Sequence, residues 1–179
     1  MCNIPIEPKN TIDILDVAFK SATVFIAFFN AYFAVIIFRM RAKKDEAEKE
    51  RDRKIQLLKT LVLDHNLKYF YSIFDEIEDQ LSPLKQPNLN LDDKKRIDSN
   101  ISELFIKMRR RFYDSLIAID FSLYDSINNY ADSLQTHITD TIFDHGINLS
   151  HLPKYDELIN EKIIKTKSEI IKRLFSYRG

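Results

Sequence analysis

The hydrophobic pattern divides the chain into one uninterrupted apolar run and several amphipathic stretches. Ser21 to Phe38, SATVFIAFFNAYFAVIIF, holds eighteen residues without a charge. A helix from Val17 to Phe38 spans roughly the 30 Å hydrocarbon core of a bilayer at about 1.5 Å rise per residue. Its apolar residues occupy most of the circumference, which sets it apart from a core helix with one buried face. The run is followed by Arg39, Arg41, Lys43 and Lys44, a positive flank of the kind retained on the cytoplasmic side. Glu7, Lys9, Asp13 and Asp16 precede it, which is not the basic start of a cleaved signal. These features predict a permanent single span with an outer N-terminus and a cytoplasmic C-terminal domain. The segments are a short outer stretch (1–16), the transmembrane helix with its basic stop (17–42), a charged helical connector (43–54) and a cytosolic helical domain (55–179). Asn10 or Thr11 is the candidate cap of the first helix.

The connector KKDEAEKERDRK carries eleven charges in twelve residues, with Lys44–Glu48, Asp45–Lys49 and Glu50–Lys54 at i,i+4 spacing. From Ile55 to Leu81, the positions Leu63, Leu67, Phe70, Phe74, Ile77 and Leu81 alternate four and three apart, a packed helical seam. Pro83 and Pro87 set a loop over Ser82–Asn90, and Asn90 with Asp93 resembles a helix N-terminal cap. From Asp92 to His145 one stripe continues: Ile97, Ile101, Leu104, Met108, Phe112, Leu116, Ile119, Leu123, Ile127, Tyr130, Leu134, Ile138 and Ile142. It predicts one very long helix or two with a break over Asp120–Ser126, ended by Gly146. Ser150 as cap and Pro153 in the first turn open a last helix to Phe175, with Leu158, Ile159, Ile163, Ile170 and Leu174 inward.

Composition supports an all-α fold: an N-terminal transmembrane helix followed by an antiparallel bundle of three to five helices. Only two glycines and five prolines occur, with long runs free of either, whereas strand folds need frequent turn residues. Zero net charge argues against a global field that draws nucleic acid. A lone cysteine, Cys2, rules out an internal disulfide.

Placed around the membrane helix, Asp16, Lys20, Thr23, Ala27, Ala34 and Arg41 fall within roughly 80° of Asn30 at about 100° per residue. Phe25, Phe28, Phe29 and Ile36 take the opposite faces. An asparagine at mid-bilayer is costly against lipid, so it faces protein or water. A lone span cannot shield such a stripe, which points to self-association. Two readings compete: a dry helix–helix seam with Asn30 hydrogen-bonded across it, or the lining of a water-filled pore.

The second candidate is Lys107-Met108-Arg109-Arg110-Arg111. It suits contact with RNA, a nucleotide or anionic lipid, or a solvated face in which Glu103–Lys107 and Arg110–Asp114 cancel locally. Arg109, flanked by Phe105, Phe112 and Leu116, is expected to pair with a carboxylate inside the bundle. The histidines His65, His137, His145 and His151 have no metal-ligand spacing, and no phosphate loop, nucleophile elbow or HExxH motif occurs. The sequence therefore assigns no catalytic, cofactor-binding or metal residues.

One N-terminal span with the stop residues RMRAKK, leading into a small Lys/Ile/Asn-rich helical domain with long helices over Ile55–Leu81 and Asp92–His145, resembles the small membrane accessory proteins of type VI-B CRISPR–Cas systems. The cytosolic part of those proteins is similar to the HEPN helical fold. The likeness covers most of the chain and rests on size and layout. HEPN ribonucleases carry an arginine four to six residues before a histidine. Here Arg53 lies twelve residues before His65 and Arg111 far before His137, so no ribonuclease residue carries over. The resemblance implies a homo-oligomeric ring forming a pore in the bacterial inner membrane, coupled functionally to an RNA-guided ribonuclease and strengthening antiphage defence. The alternative is a membrane-anchored sensor or adaptor that binds RNA or a nucleotide messenger through Lys107, Arg109, Arg110 and Arg111.

Overall fold

The computed structural model describes the backbone of residues 9–179 and the side chains of residues 16–179. The expectations for Met1 to Pro8 lie outside the described residues. Every regular element among the described residues is helical. The chain forms two compact units, Met1–Lys49 and Glu50–Gly179.

Helix α1, Lys9–Leu57, carries the apolar run. No glycine or proline interrupts it, so each residue from 9 onward continues the ladder. The backbone of Asn10 and Thr11 lies within the helix, and the outer stretch proposed for 1–16 is helical from Lys9. The charged connector 43–54 is helical as expected. One of its expected ion pairs differs: Glu50 takes Arg53 in place of Lys54, with Arg53 Nε 2.9 Å and Nη2 2.8 Å from the two carboxylate oxygens. Lys54 reaches Asp120 instead.

The second unit begins where α1 loosens into a wide turn over Leu58–Leu63, closed by an i→i+5 hydrogen bond from the Asp64 amide to the Lys59 carbonyl (2.9 Å). The expected helix from Ile55 to Leu81 is therefore broken at residues 64–66, and α2 runs Leu67–Leu81. Its seam holds: Phe70, Phe74, Ile77 and Leu81 are buried, while Leu63 and Leu67 pack against the same core from its edge. A single 3-10 turn, Ser82–Lys85, leads towards α3, Leu91–Met108. Asn90 caps α3 as the sequence suggests, its Oδ1 accepting the Asp93 amide at 2.8 Å.

The long stripe after Asp92 is divided. A wide turn at Arg109–Tyr113 and a 3-10 turn at Asp114–Ala118 separate α3 from α4, Phe121–Phe143. Asp120 caps α4 by accepting the Leu123 amide at 3.0 Å. The break thus begins eleven residues earlier than the Asp120–Ser126 region expected, at a turn without Gly or Pro. Tyr130 leaves the core. Ala131 takes its place, because Ile127, Ala131, Leu134 and Ile138 are the positions that face inward. Gly146 does not end α4 in a left-handed cap; Phe143 is its last residue, and the Gly146 amide donates to Asp144 Oδ1 (2.7 Å). Ser150 is not a cap, since its hydroxyl donates to Asn148 and the N-cap residue of the next helix is His151. Helix α5, Leu152–Tyr155, carries Pro153 in its first turn and passes through a wide turn, Asp156–Asn160, into α6, Glu161–Phe175. Ile159, Ile163, Ile170 and Leu174 are buried there; Leu158 is only half-buried.

Cross-helix bonds give the topology. Asp98–Thr139 (2.7 Å), Ser102–Gln135 (3.2 Å) and Arg109–Asp132 (3.0 Å) advance on α3 as they retreat on α4, so these helices are antiparallel. Gln80–Asn100 and Glu76–Lys107 show the same for α2 and α3. Helix α6 returns to α2, where Lys167 lies 3.8 Å from Asp75 and over the rings of Tyr71 and Phe74. The result is a closed up-down-up-down bundle of α2, α3, α4 and α6. Its centre is aromatic: Phe70 meets Phe74 at 4.8 Å and Phe112 at 4.7 Å between ring centroids.

Candidate functional site

The first candidate is built by α1 alone. Lys20, Thr23, Ala27, Asn30, Ala34 and Arg41 recur three and four residues apart, with one step of seven. On a continuous helix this spacing keeps them on one side, the seam side of a left-handed supercoil. The polar groups of the stripe differ in how they are satisfied. Lys20 Nζ donates to Asp16 Oδ2 at 2.6 Å, one turn back. The Thr23 hydroxyl donates to the Phe19 carbonyl at 2.8 Å, so its proton is spent within its own helix. The Asn30 carboxamide makes no hydrogen bond among the described residues. It brings two donors and an acceptor into the middle of the apolar segment with no partner from this chain. Around it the helix presents Phe25, Phe28, Phe29 and Phe33, all well exposed; Phe29 and Phe33 stack with centroids 6.4 Å apart. This is the one helix among the described residues long and apolar enough to cross a membrane, and none of its apolar window is buried.

The second candidate sits at the wide turn after α3, where the extra residue per turn spreads Lys107, Arg109, Arg110 and Arg111 over different neighbours. Lys107 does not pair with Glu103. It crosses to α2 and donates to Glu76 Oε2 at 2.5 Å. That bond holds the Glu76 carboxyl below its ordinary range, against an opposing effect of burial, with a smaller contribution from Arg111. Arg109 meets the carboxylate of Asp132 at 3.0 Å, as expected, but on the bundle surface, both side chains being nearly half exposed. Around that pair Asn128 Nδ2 donates to Asp132 Oδ2 (2.7 Å), and Arg109 Nε and Asn128 Oδ1 each lie 3.4 Å from the Tyr113 hydroxyl. Burial pushes the Tyr113 phenol above its ordinary pKa. The expected Arg110–Asp114 pair is not formed among the described residues. Arg110 and Arg111 remain exposed beside Ile106, which is 51% exposed.

The sequence missed a cluster around Asp120. Besides capping α4, its Oδ2 accepts the Tyr177 hydroxyl at 3.0 Å and lies 3.4 Å from Lys54 Nζ. Burial opposes the charge, yet the Leu123 amide, Tyr177 and Lys54 together hold the carboxyl below its ordinary value. Burial, reinforced by Asp120, pushes the Tyr177 phenol up to about 12. Tyr177 and Lys54 are 57 and 66 positions from Asp120, and no local spacing announces them. Among the described residues no group of three or more His, Cys, Asp and Glu side chains could hold a metal ion.

Compared with known proteins, the chain matches no family, no curated protein and no solved structure.

Proposed function

We infer that this chain is a homo-oligomeric membrane pore whose working part is the polar stripe of α1. The observation that carries this reading is Asn30, an unpartnered carboxamide at the middle of a helix otherwise clothed in phenylalanine and isoleucine. In hydrocarbon an unsatisfied amide costs several kcal/mol, on the order of 2–7. Copies of α1 arranged with Lys20, Thr23, Asn30 and Arg41 inward satisfy it with water or with the neighbouring Asn30. Ala27 and Ala34 leave room for close approach. The basic flank Arg39, Arg41, Lys43 and Lys44 puts the helical bundle on the cytoplasmic side of a bacterial inner membrane. We read the helical bundle as the counterpart of a HEPN-like domain, and the resemblance in layout suggests phage defence beside an RNA-guided ribonuclease as the setting. No catalytic role is assigned.

The test is conductance of the purified full chain in a planar bilayer. The parent protein produces discrete current steps, and Asn30→Leu inserts equally well but conducts no current. A conducting Asn30→Leu variant, or a parent protein that is monomeric in detergent, refutes the mechanism. The adaptor reading now rests on Arg110 and Arg111, the two cations of the basic run that form no hydrogen bond or close ion pair with a carboxylate among the described residues. RNA binding lost in Arg110→Gln/Arg111→Gln, without any current from the parent protein, would favour it.

A further inference from the structure

A crevice of about 240 Å³ opens between α4 and α6, and the pore reading gives it no role. On α4 it is lined by Tyr130, Ser133 and His137, over Leu134 as the apolar floor; on α6 by Lys162, Lys165, Thr166 and Glu169. Each set recurs at three- and four-residue spacing, so each is a single stripe of its helix. Several other cations of the bundle are already engaged. Lys54, Lys107 and Lys154 each have a carboxylate, Lys167 has Asp75 and two rings, and Lys85 lies over Tyr155. Lys162 and Lys165 have neither carboxylate nor ring among the described residues. The hydroxyls of Tyr130, Ser133 and Thr166 make no hydrogen bond there either. Glu169, the one acid of the lining, lies 3.9 Å from Lys172 on its own helix. His137 Nε2 donates to the Leu158 carbonyl at 2.8 Å and ties the wide turn before α6 to α4, which fixes the two walls against each other.

Two ammonium groups and two aliphatic hydroxyls over an apolar floor match a compact dianion with several acceptor oxygens. A phosphate monoester supplies about two negative charges and three terminal oxygens, whereas a carboxylate offers one charge and two oxygens. Ligand pockets that enclose a whole small molecule start near 300 Å³, so this crevice takes the phosphate and leaves the remainder at its mouth. Tyr130, 36% exposed, offers a ring face for a base there. We propose that the crevice between α4 and α6 binds the phosphate end of a small phosphomonoester, with a nucleoside monophosphate the best-fitting class, through Lys162 and Lys165. The site does not depend on the pore reading.

Isothermal titration of the full chain in detergent, with inorganic phosphate and with adenosine 5′-monophosphate as probes, tests it. Saturable binding in the millimolar range or tighter is expected. The double variant Lys162→Gln/Lys165→Gln should weaken it about tenfold or more, as the loss of charge-assisted contacts requires. Lys95→Gln, an exposed lysine elsewhere, should leave it unchanged. Both lysines are solvent-exposed, so the double variant keeps its fold, which circular dichroism checks. Tighter binding of the nucleotide than of phosphate supports the nucleotide class, and equal binding supports a phosphate site with another remainder. Absence of saturable binding for both probes, or a double variant that binds like the parent, overturns the proposal.

Discussion

Removal of the Asp120 carboxylate should unlock three parts of the bundle at once. In Asp120→Ala the Leu123 amide loses its cap, which costs about 1 kcal/mol. The Tyr177 hydroxyl loses a charged acceptor at 3.0 Å, worth about 1 kcal/mol at a site still partly open to solvent. Lys54, at 3.4 Å and partly exposed, adds about 0.5 kcal/mol. Together these amount to about 2.5 kcal/mol, or a fall in Tm of about 8–10 °C for a unit the size of residues 50–179. Asp120→Asn keeps an acceptor for the cap and loses only the charge, so it should fall by about half as much. Thermal melts of the full chain in detergent, followed by circular dichroism, read both. The pH dependence has a definite sign. Because the folded carboxyl sits below its unfolded value, its contribution is present above about pH 4 and is lost as pH falls through the folded value. The gap between parent and Asp120→Asn should therefore close on acidification. An Asp120→Ala variant that melts with the parent, or an Asn variant as damaged as the Ala variant, refutes this account.

Phe70→Ala should cost about 3–5 kcal/mol, because the ring is fully buried between Phe74 and Phe112; chemical denaturation measures it, and a loss below about 1 kcal/mol would mean the centre is packed otherwise. Tyr177, pushed up to about 12, should remain a phenol at pH 11 in the folded protein, and Tyr177→Phe should remove one late step from the ultraviolet titration of tyrosinate. Its share of stability is full below the unfolded value of about 10 and disappears as pH rises through about 12. Asp132→Asn should release Arg109 while costing below about 1 kcal/mol, since that pair is nearly half exposed; a larger loss in thermal melts would show that the network with Tyr113 and Asn128 acts as a unit.

What could be read in the sequence follows from how local each feature is. The polar stripe around Asn30 needs only the geometry of one helix, so spacing alone places its residues on one side of α1. The seam through Phe70, Phe74, Ile77 and Leu81 and the cap at Asn90 are equally local. The end of α3 at Met108 was hidden because RRRFY holds no breaker and its stripe runs on through the wide turn. That same continuity made Tyr130 look inward, where the neighbouring Ala131 is the buried residue. Charge partners were the least legible. Spacing suggested Glu103–Lys107 and Glu50–Lys54, but Glu76 and Asp120 compete from other helices in less solvated positions and prevail. The crevice between α4 and α6 could have been noticed as two matching stripes, yet nothing in the sequence says that they face each other.

The three wide turns, at Leu58–Leu63, Arg109–Tyr113 and Asp156–Asn160, each close a hydrogen bond across five residues: Asp64 to Lys59, Asp114 to Arg109, and Glu161 to Asp156. Each therefore stores about one residue more than an α-helical turn requires. At these points the chain has spare length. A single deletion inside such a turn can be absorbed by tightening it to ordinary helix, whereas the same deletion in α2 or α4 rotates every later side chain by about 100° away from the core. Losses of single residues in this protein should accordingly be tolerated at the wide turns and rejected between them.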